Sequence, residues 1–156
     1  MQRRSTLHAA AALGFLGLAW PGLGSAQAKP QVEVWKSPTC GCCHDWISHM
    51  EANGFQLHVR DVSEVAKAAQ RRSLGMPQAL GSCHTAVVGG YVLEGHVPAR
   101  EIRRLLKERP KALGLAVPGM PIGSPGMDGP AYGGRKDPYA VLLVQRDGST
   151  STYQAY

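Results

Sequence analysis

Four cysteines constrain this chain more than any other feature, because three of them fall within four consecutive positions. They are Cys40, Cys42 and Cys43, followed much later by Cys83. The first three come after an alternating segment with Val32 and Val34, which predicts a β-strand, and before a segment at 42–53 that predicts a helix. Unpaired N–H groups and the dipole at a helix N-terminus stabilise thiolates. The sequence therefore predicts a reactive or metal-binding corner between a strand and a helix.

The rest of the chain predicts an α/β domain with the element order βαβαββα. The further elements are a strand at 55–62, a helix at 64–74, a hairpin at 85–93 and a helix at 98–109. Residues 111–138 are rich in Gly, Pro and Met without an apolar period, which predicts a long loop, and residues 139–156 predict a closing β-hairpin. A cysteine cluster between the first strand and helix, followed by a hairpin and a helix, is typical of a thioredoxin-like fold.

The N-terminus has the pattern of a secretory signal peptide. Two arginines precede an apolar run at 9–20, and Ala26 and Ala28 form a small-x-small cleavage pattern. The run is shorter than the roughly 20 apolar residues that a spanning helix needs. We therefore expect a signal peptide at 1–28, cleavage near Ala28, and one periplasmic domain at 29–156 without stable membrane insertion. Whether export follows the general secretory or the twin-arginine route is left open.

The positive charge of the chain does not indicate a nucleic-acid partner. The formal net charge is +6, and several basic residues share one face of the predicted helix at 98–109, which is typical of a solvated surface. No aromatic residues alternate with these charges, and no zinc-finger spacing accompanies them. Phosphate loops and H-E-x-x-H motifs are also absent from the sequence. We therefore expect no nucleic-acid binding.

The spacing of the cysteines discriminates among four kinds of thiol chemistry. Cys40 and Cys43 form a C-x-x-C pair, as in thiol–disulfide oxidoreductases, but Cys42 adds a third thiol that would form competing disulfides. Two structural disulfides suit an exported protein, yet a vicinal Cys42–Cys43 bond would strain disulfide geometry. Structural zinc uses two separated C-x-x-C pairs, so zinc fits less well. Closely spaced thiolates that bridge several soft Cu(I) ions fit best, so copper is the predicted metal.

Histidines and methionines supply further candidate ligands. The predicted metal ligands are Cys40, Cys42, Cys43, Cys83 and His84. His84 directly follows Cys83, and we expect this pair to face the helix N-terminus across the site. His44 and His49 rank lower, because a lone helical histidine is usually a surface or capping residue. It is left open whether these two histidines or three methionines in Gly/Pro segments also ligate copper. The methionines are Met76, Met120 and Met127.

Several stretches of the chain, in order, resemble one bacterial family. They are SPTCGCCHDW, ANGF, GSCHTAVVGGYVLEGHVPA and GLAVPGMPIGSPGM, and together they span nearly all of residues 32–128. On these motifs the chain resembles the CopG-type copper-resistance proteins, a thioredoxin-like metal-binding family of the bacterial periplasm. The resemblance implies a cysteine-bridged copper cluster on the four cysteines, completed by His84 or a neighbouring histidine. It also implies that the protein works beside copper-efflux or copper-oxidation proteins.

The leading hypothesis is a periplasmic copper-binding protein for copper resistance and homeostasis. It would hold copper on the cysteine cluster, as Cu(I) or as a polynuclear thiolate-bridged cluster, and cycling between Cu(I) and Cu(II) is an extension of this hypothesis. The alternatives are a thiol–disulfide oxidoreductase that uses Cys40 and Cys43, and a disulfide-stapled interaction module. The sequence leaves open whether the protein is an enzyme, a copper-linked or thiol–disulfide oxidoreductase, and which partner proteins and oligomeric state it has.

Overall fold

The structure, a computed structural model, describes residues 28–156. The predicted signal peptide, except Ala28, lies outside the described residues. Seven strands and three helices form the described part of the chain. They are β1 (Gln31–Lys36), α1 (Gly41–Ala52), β2 (Gln56–Asp61), α2 (Glu64–Ser73), β3 (His84–Val88), β4 (Tyr91–Glu94), α3 (Ala99–Glu108), β5 (Gly114–Ala116), β6 (Ala140–Val144) and β7 (Thr150–Ala155). None of these helices is long and apolar enough to cross a membrane.

The strands form one mixed sheet in the order β2-β1-β3-β4-β5-β6-β7. β1 and β2 are parallel, and α1 makes the crossover that a parallel pair requires. β3 and β4 form an antiparallel hairpin whose turn residues, Gly89 and Gly90, both have positive φ, as a two-residue turn of type I′ requires. β4 pairs in parallel with β5, which continues the sheet to the C-terminal hairpin of β6 and β7.

The hydrophobic core lies between this sheet and helices α1 and α3. Val32 and Val34 point inward from β1, as their alternation predicts, and the i, i+4 residues Trp46 and Met50 bury one face of α1. The main cluster also contains Phe55, Ala86, Val88, Leu93, Ile102, Leu105 and Leu115. Burying each large side chain contributes roughly 1.5–3 kcal/mol, so the core fixes α1 firmly against the sheet.

The register of β1 and β3 places the cysteines together. Lys36, the last residue of β1, is paired with His84, the first residue of β3. Cys83 directly precedes the first residue of β3 and therefore lies beside the turn that leads from β1 into α1. Cys40 is the N-cap of α1, with extended backbone angles. The strand pairing thus places Cys83 beside the N-terminus of α1, where the other three cysteines lie.

The structure confirms an α/β domain, and the first seven long elements follow the predicted order. The prediction of a loop without strands at 111–138 was wrong for β5, which lies inside it. β5 has three residues and is buried throughout, and it pairs with β4 on one side and β6 on the other. Its strand conformation depends on these long-range partners, because three residues carry too little periodicity to predict a strand.

Candidate metal centre

The four cysteine sulfurs form one compact group. All four Sγ atoms lie within 4.8 Å of one another. Cys42 Sγ is 3.7 Å from Cys40 Sγ and 3.8 Å from Cys83 Sγ, so it lies between the helix cysteines and the strand cysteine. Cys43 is fully buried, whereas the other three are partly exposed. Sulfurs this close can each contact more than one soft metal ion, which is the arrangement of bridging thiolates.

Cys40 and Cys43 are joined by a disulfide, and Cys42 and Cys83 are free. The bond joins the two ends of the C-x-x-C pair at the N-terminus of α1. Burial and the neighbouring Cys42 raise the pKa of the Cys83 thiol to about 11. Cys83 is therefore protonated at neutral pH without metal, and a metal ion that binds it must displace a proton. The full set of four thiolates requires reduction of the disulfide.

Buried charged residues hold the segment around Cys83 in place. Lys67 Nζ donates to the Cys83 carbonyl oxygen at 2.8 Å. The fully buried carboxylate of Glu94 accepts from the Ser82 N–H at 2.7 Å and from Thr85 Oγ1 at 2.6 Å, and it lies 3.0 Å from Arg71 Nε. Because a buried carboxylate is stabilised only when it is paired and hydrogen-bonded, this network fixes the backbone on both sides of the cysteine.

A second group of candidate ligands shares Cys83 with the first. Cys83, His84 and His96 present donor atoms within 4.8 Å of one another, and Cys83 Sγ is 3.3 Å from His96 Nε2. The structure thus places His84 with Cys83 and His96 rather than among all four sulfurs. His96 was not predicted as a ligand from the sequence.

Both of these histidines are buried without their full complement of hydrogen bonds. Neither is exposed to solvent, and His84 packs against Trp46 with ring centroids 4.2 Å apart. Both His84 nitrogens and His96 Nδ1 have no hydrogen-bond partner within the protein. Burial lowers the pKa of His84 well below its usual value and that of His96 to about 4, so both rings are neutral at pH 7.

The remaining candidate ligands are two histidines, which belong to neither group, and three methionines. Exposed His44 has its Nε2 3.4 Å from Lys36 Nζ, and His49 Nε2 accepts a hydrogen bond from the Ala99 N–H, which caps α3. Met76 is buried in a small apolar cluster with Val92, Leu113, Ala116 and Val144. Met120 is 54% exposed, and Met127 Sδ accepts a hydrogen bond from Tyr132. In this structure these five side chains make packing, capping and surface contacts.

The Gly/Pro/Met-rich segment 118–128 covers the N-terminal turn of α1. It is attached near Cys83, where Ser82 Oγ donates to the Gly119 carbonyl oxygen. It also lies directly on α1 at Gly126, where an added Cβ would be 2.5 Å from the Cys42 carbonyl oxygen. The segment therefore touches the elements that carry the cysteines at two separate points.

We expect the metal-free protein to lose stability when the pH falls from 7 to 5. His96 is neutral in the folded state down to about pH 4, whereas the unfolded chain takes up a proton near pH 6.5, so protons favour unfolding in this range. The nearby side chains of Asp128 and Asp45 act to raise the pKa of His96, but this effect is smaller than that of burial. The cost is about 2 kcal/mol from His96 alone.

Urea unfolding at pH 7 and pH 5, with a chelator present, measures this effect. A His96→Gln variant should show a smaller loss of stability between the two pH values, and a variant of the exposed His58, His58→Gln, should behave as the unaltered protein. Equal losses of stability between pH 7 and pH 5 in the unaltered protein and in His96→Gln would contradict the attribution of this loss to His96.

Comparison with known proteins finds two solved structures that are similar over most of the chain. Both are described as the copper resistance protein CopG, in form 1 and form 2. Each is 44% identical in sequence, with a TM-score of 0.74, over 82% of this chain and 98% of the other. A family described as a protein of unknown function, DUF411, matches residues 80–127, which include Cys83 and His96. No curated protein matches the chain.

Proposed function

This chain belongs to the family of the copper resistance protein CopG, and we propose that it binds copper on its cysteine cluster as part of copper resistance and homeostasis. The proposed ligands are Cys40, Cys42, Cys43 and Cys83, with His84 contributing from the buried side. The observation that carries the proposal is the meeting of four sulfurs within 4.8 Å of one another at one helix N-terminus.

The donor set favours Cu(I) over other ions. Thiolates are soft ligands that select Cu(I), and sulfurs 3.7–3.8 Å apart are placed to bridge neighbouring ions in a polynuclear cluster. Zinc remains the second choice, because four thiolates also satisfy a tetrahedral zinc site. The proposal includes cycling between Cu(I) and Cu(II), with one electron per ion exchanged with a redox partner, since the neighbouring imidazoles are ligands that Cu(II) also accepts.

The fold and the cellular location belong to the same proposal. We assign a thioredoxin-like fold, supported by the parallel β1–α1–β2 unit, the β3–β4 hairpin, and α3 after it. We also propose that residues 1–28 are a signal peptide and that residues 29–156 are one periplasmic domain that works beside copper-efflux or copper-oxidation proteins. The N-terminal sequence of the protein isolated from the periplasm would test the cleavage site.

Anaerobic copper titration of the reduced protein tests the copper proposal. After reduction of the Cys40–Cys43 bond and removal of the reductant, we expect more than one Cu(I) to remain per chain after desalting. We also expect ultraviolet thiolate-to-copper charge-transfer absorption that is absent from protein alkylated at all four cysteines. Retention of zinc in preference to copper from an equal mixture, or of no metal at all, would contradict the proposal.

A thiol–disulfide oxidoreductase is the second candidate function. It is favoured by one observation, the disulfide between Cys40 and Cys43 at the N-terminus of α1, with the free Cys42 Sγ 3.7 Å from Cys40 Sγ. An oxidoreductase needs one attacking and one resolving sulfur, which this pair supplies. The two candidate functions differ in one requirement: a bridged copper cluster needs the Cys42 thiol, whereas an oxidoreductase that uses Cys40 and Cys43 does not.

A further inference from the structure

A cleft of ≈ 770 Å³ lies at the end of the sheet opposite the cysteines. Three connections line it, namely the β3–β4 turn, the segment between α3 and β5, and the β6–β7 turn. They meet because Gly114 at the start of β5 pairs with Val92 of β4 and with Val144 at the end of β6. Strand β3 separates Cys83 from Gly89, a distance of about 20 Å at the rise of an extended chain.

The cleft carries positive charge that the protein leaves unpaired. Arg109, Lys111 and Arg146 line it, and all three are exposed. Within residues 28–156 none of them forms an ion pair. Asp147 is the only carboxylate in the lining, and its Oδ1 accepts from the N–H and the hydroxyl of Ser149 at 2.9 and 2.7 Å. Three positive groups and one negative group give the lining a net charge of +2.

The backbone of the β3–β4 turn adds hydrogen-bond donors to these charges. In the described part of the chain, the N–H groups of Gly89 and Gly90 have no backbone acceptor. An added Cβ at Gly90 would meet nothing within 4 Å, so the turn can be approached from outside. Backbone N–H groups, guanidinium groups and ammonium groups all donate to carboxylates. The cleft therefore offers several donors to an anionic ligand.

Arg109 occupies a backbone position that favours glycine. It is the C-cap of α3 with φ of 49° and ψ of 49°, and no other residue of 28–156 except glycines has a positive φ. Glycine is the common residue at such a helix end, because a Cβ is unfavourable in the left-handed region. The local backbone thus gives no reason for an arginine, whereas the charge of the cleft does.

We propose that this cleft docks an acidic segment of a partner protein, with its carboxylates against Arg109, Lys111 and Arg146. The cleft is too large for a single oxyanion, and Pro110 and Ala112 add apolar surface for the aliphatic parts of a peptide. Complementary charge also speeds the encounter of two proteins. The inference goes beyond the proposed function, because no metal binds here and a partner held at this end leaves the cysteine end of the sheet unobstructed.

Titration with a hexaglutamate peptide, followed by ¹⁵N NMR of the metal-free protein at low ionic strength, tests the proposal. We expect shifts of the Gly89, Gly90, Lys111 and Arg146 amide signals, and none at Cys83. Raising the salt concentration to about 0.15 M should weaken binding, because exposed charges are then screened.

Variants of the three cations measure their contribution. Arg109→Gly, Lys111→Gln and Arg146→Gln should each weaken hexaglutamate binding about 2- to 5-fold, and the triple variant about 10-fold or more. Arg109→Gly introduces the residue that the backbone favours, so it should not lower the urea midpoint, and its effect on binding cannot come from misfolding. Arg135→Gln removes one exposed charge outside the cleft and should leave binding unchanged.

Three results would overturn the docking site. They are unchanged hexaglutamate affinity in the triple variant, an equal loss of affinity in Arg135→Gln, and tighter binding of inorganic pyrophosphate or of an oligothymidylate than of hexaglutamate. The last result would assign the cleft to a small polyanion or a nucleic acid instead of a protein. The triple variant should bind Cu(I) as the unaltered protein does, so this proposal and the copper proposal can fail separately.

Discussion

Cys42→Ser is expected to lower the Cu(I) affinity of the reduced protein by more than about 100-fold. Cys42 Sγ lies between Cys40 Sγ and Cys83 Sγ, so its loss separates the helix sulfurs from the strand sulfur. Partners that only orient a metal ligand already change affinity by roughly 10–100-fold, and a ligand that bridges two ions should change it more. Competition with a coloured Cu(I) chelator measures the change.

The same variant discriminates between the two candidate functions. If the protein is a copper-binding protein, Cys40→Ser and Cys42→Ser should both lose Cu(I), and His44→Gln, beside them on α1 but outside the sulfur group, should keep it. If the protein is a thiol–disulfide oxidoreductase, Cys40→Ser should abolish disulfide reduction and Cys42→Ser should leave it nearly unchanged. Normal Cu(I) affinity in Cys42→Ser would therefore remove the main argument for a bridged cluster.

Much of the site could be predicted because local sequence determines it. A strand, a cysteine-bearing turn and a helix follow one another within residues 31–52, so Cys40, Cys42 and Cys43 necessarily lie at the N-terminus of α1. That Cys83 joins them depends on the pairing of β1 with β3, which brings residues almost 50 positions apart together. The expected thioredoxin-like order of elements, rather than any local pattern, led to that part of the prediction.

His96 could have been predicted from the hairpin alone. A two-residue turn at Gly89-Gly90 pairs Val88 with Tyr91, and continuing this register places Cys83 opposite His96. A hairpin predicted with that turn therefore already contains the contact that the structure shows at 3.3 Å. His84, predicted because it directly follows Cys83, lies among the same donors and is fully buried.

The buried charges behind Cys83 could not be predicted in the same way. Arg71 and Glu94 lie on α2 and β4, and only the packing of α2 against the sheet brings them to 3.0 Å. The basic residues of α2 predict a solvated helix face by composition, yet Lys67 and Arg71 are buried. A hydrogen bond from Lys67 to the Cys83 carbonyl and an ion pair between Arg71 and the Glu94 carboxylate compensate this burial, and such partners are set by tertiary structure.

Gly126→Ala is expected to destabilise the protein by about 2–4 kcal/mol and to expose the cysteine cluster. Gly126 has φ of +88°, where alanine costs roughly 1–2 kcal/mol. A Cβ there would also lie 2.5 Å from the Cys42 carbonyl oxygen and 2.9 Å from the Trp46 amide nitrogen. Both atoms belong to the backbone of α1, which the core holds in place, so the segment 118–128 must move away instead.

Alanine substitutions at two other glycines of the same region allow the cost of backbone strain to be measured separately from the cost of the contact with α1. Gly119 has φ of +70° with nothing near its Cβ position, so Gly119→Ala measures the conformational cost alone. Gly129 has negative φ and equally open surroundings, so Gly129→Ala should change stability by less than about 0.5 kcal/mol. Urea unfolding gives the stability order, and the alkylation rate of Cys42 in the metal-free protein should rise only in Gly126→Ala. If Gly119→Ala raised that rate as much, attachment near Ser82 rather than contact at α1 would control access to the cluster.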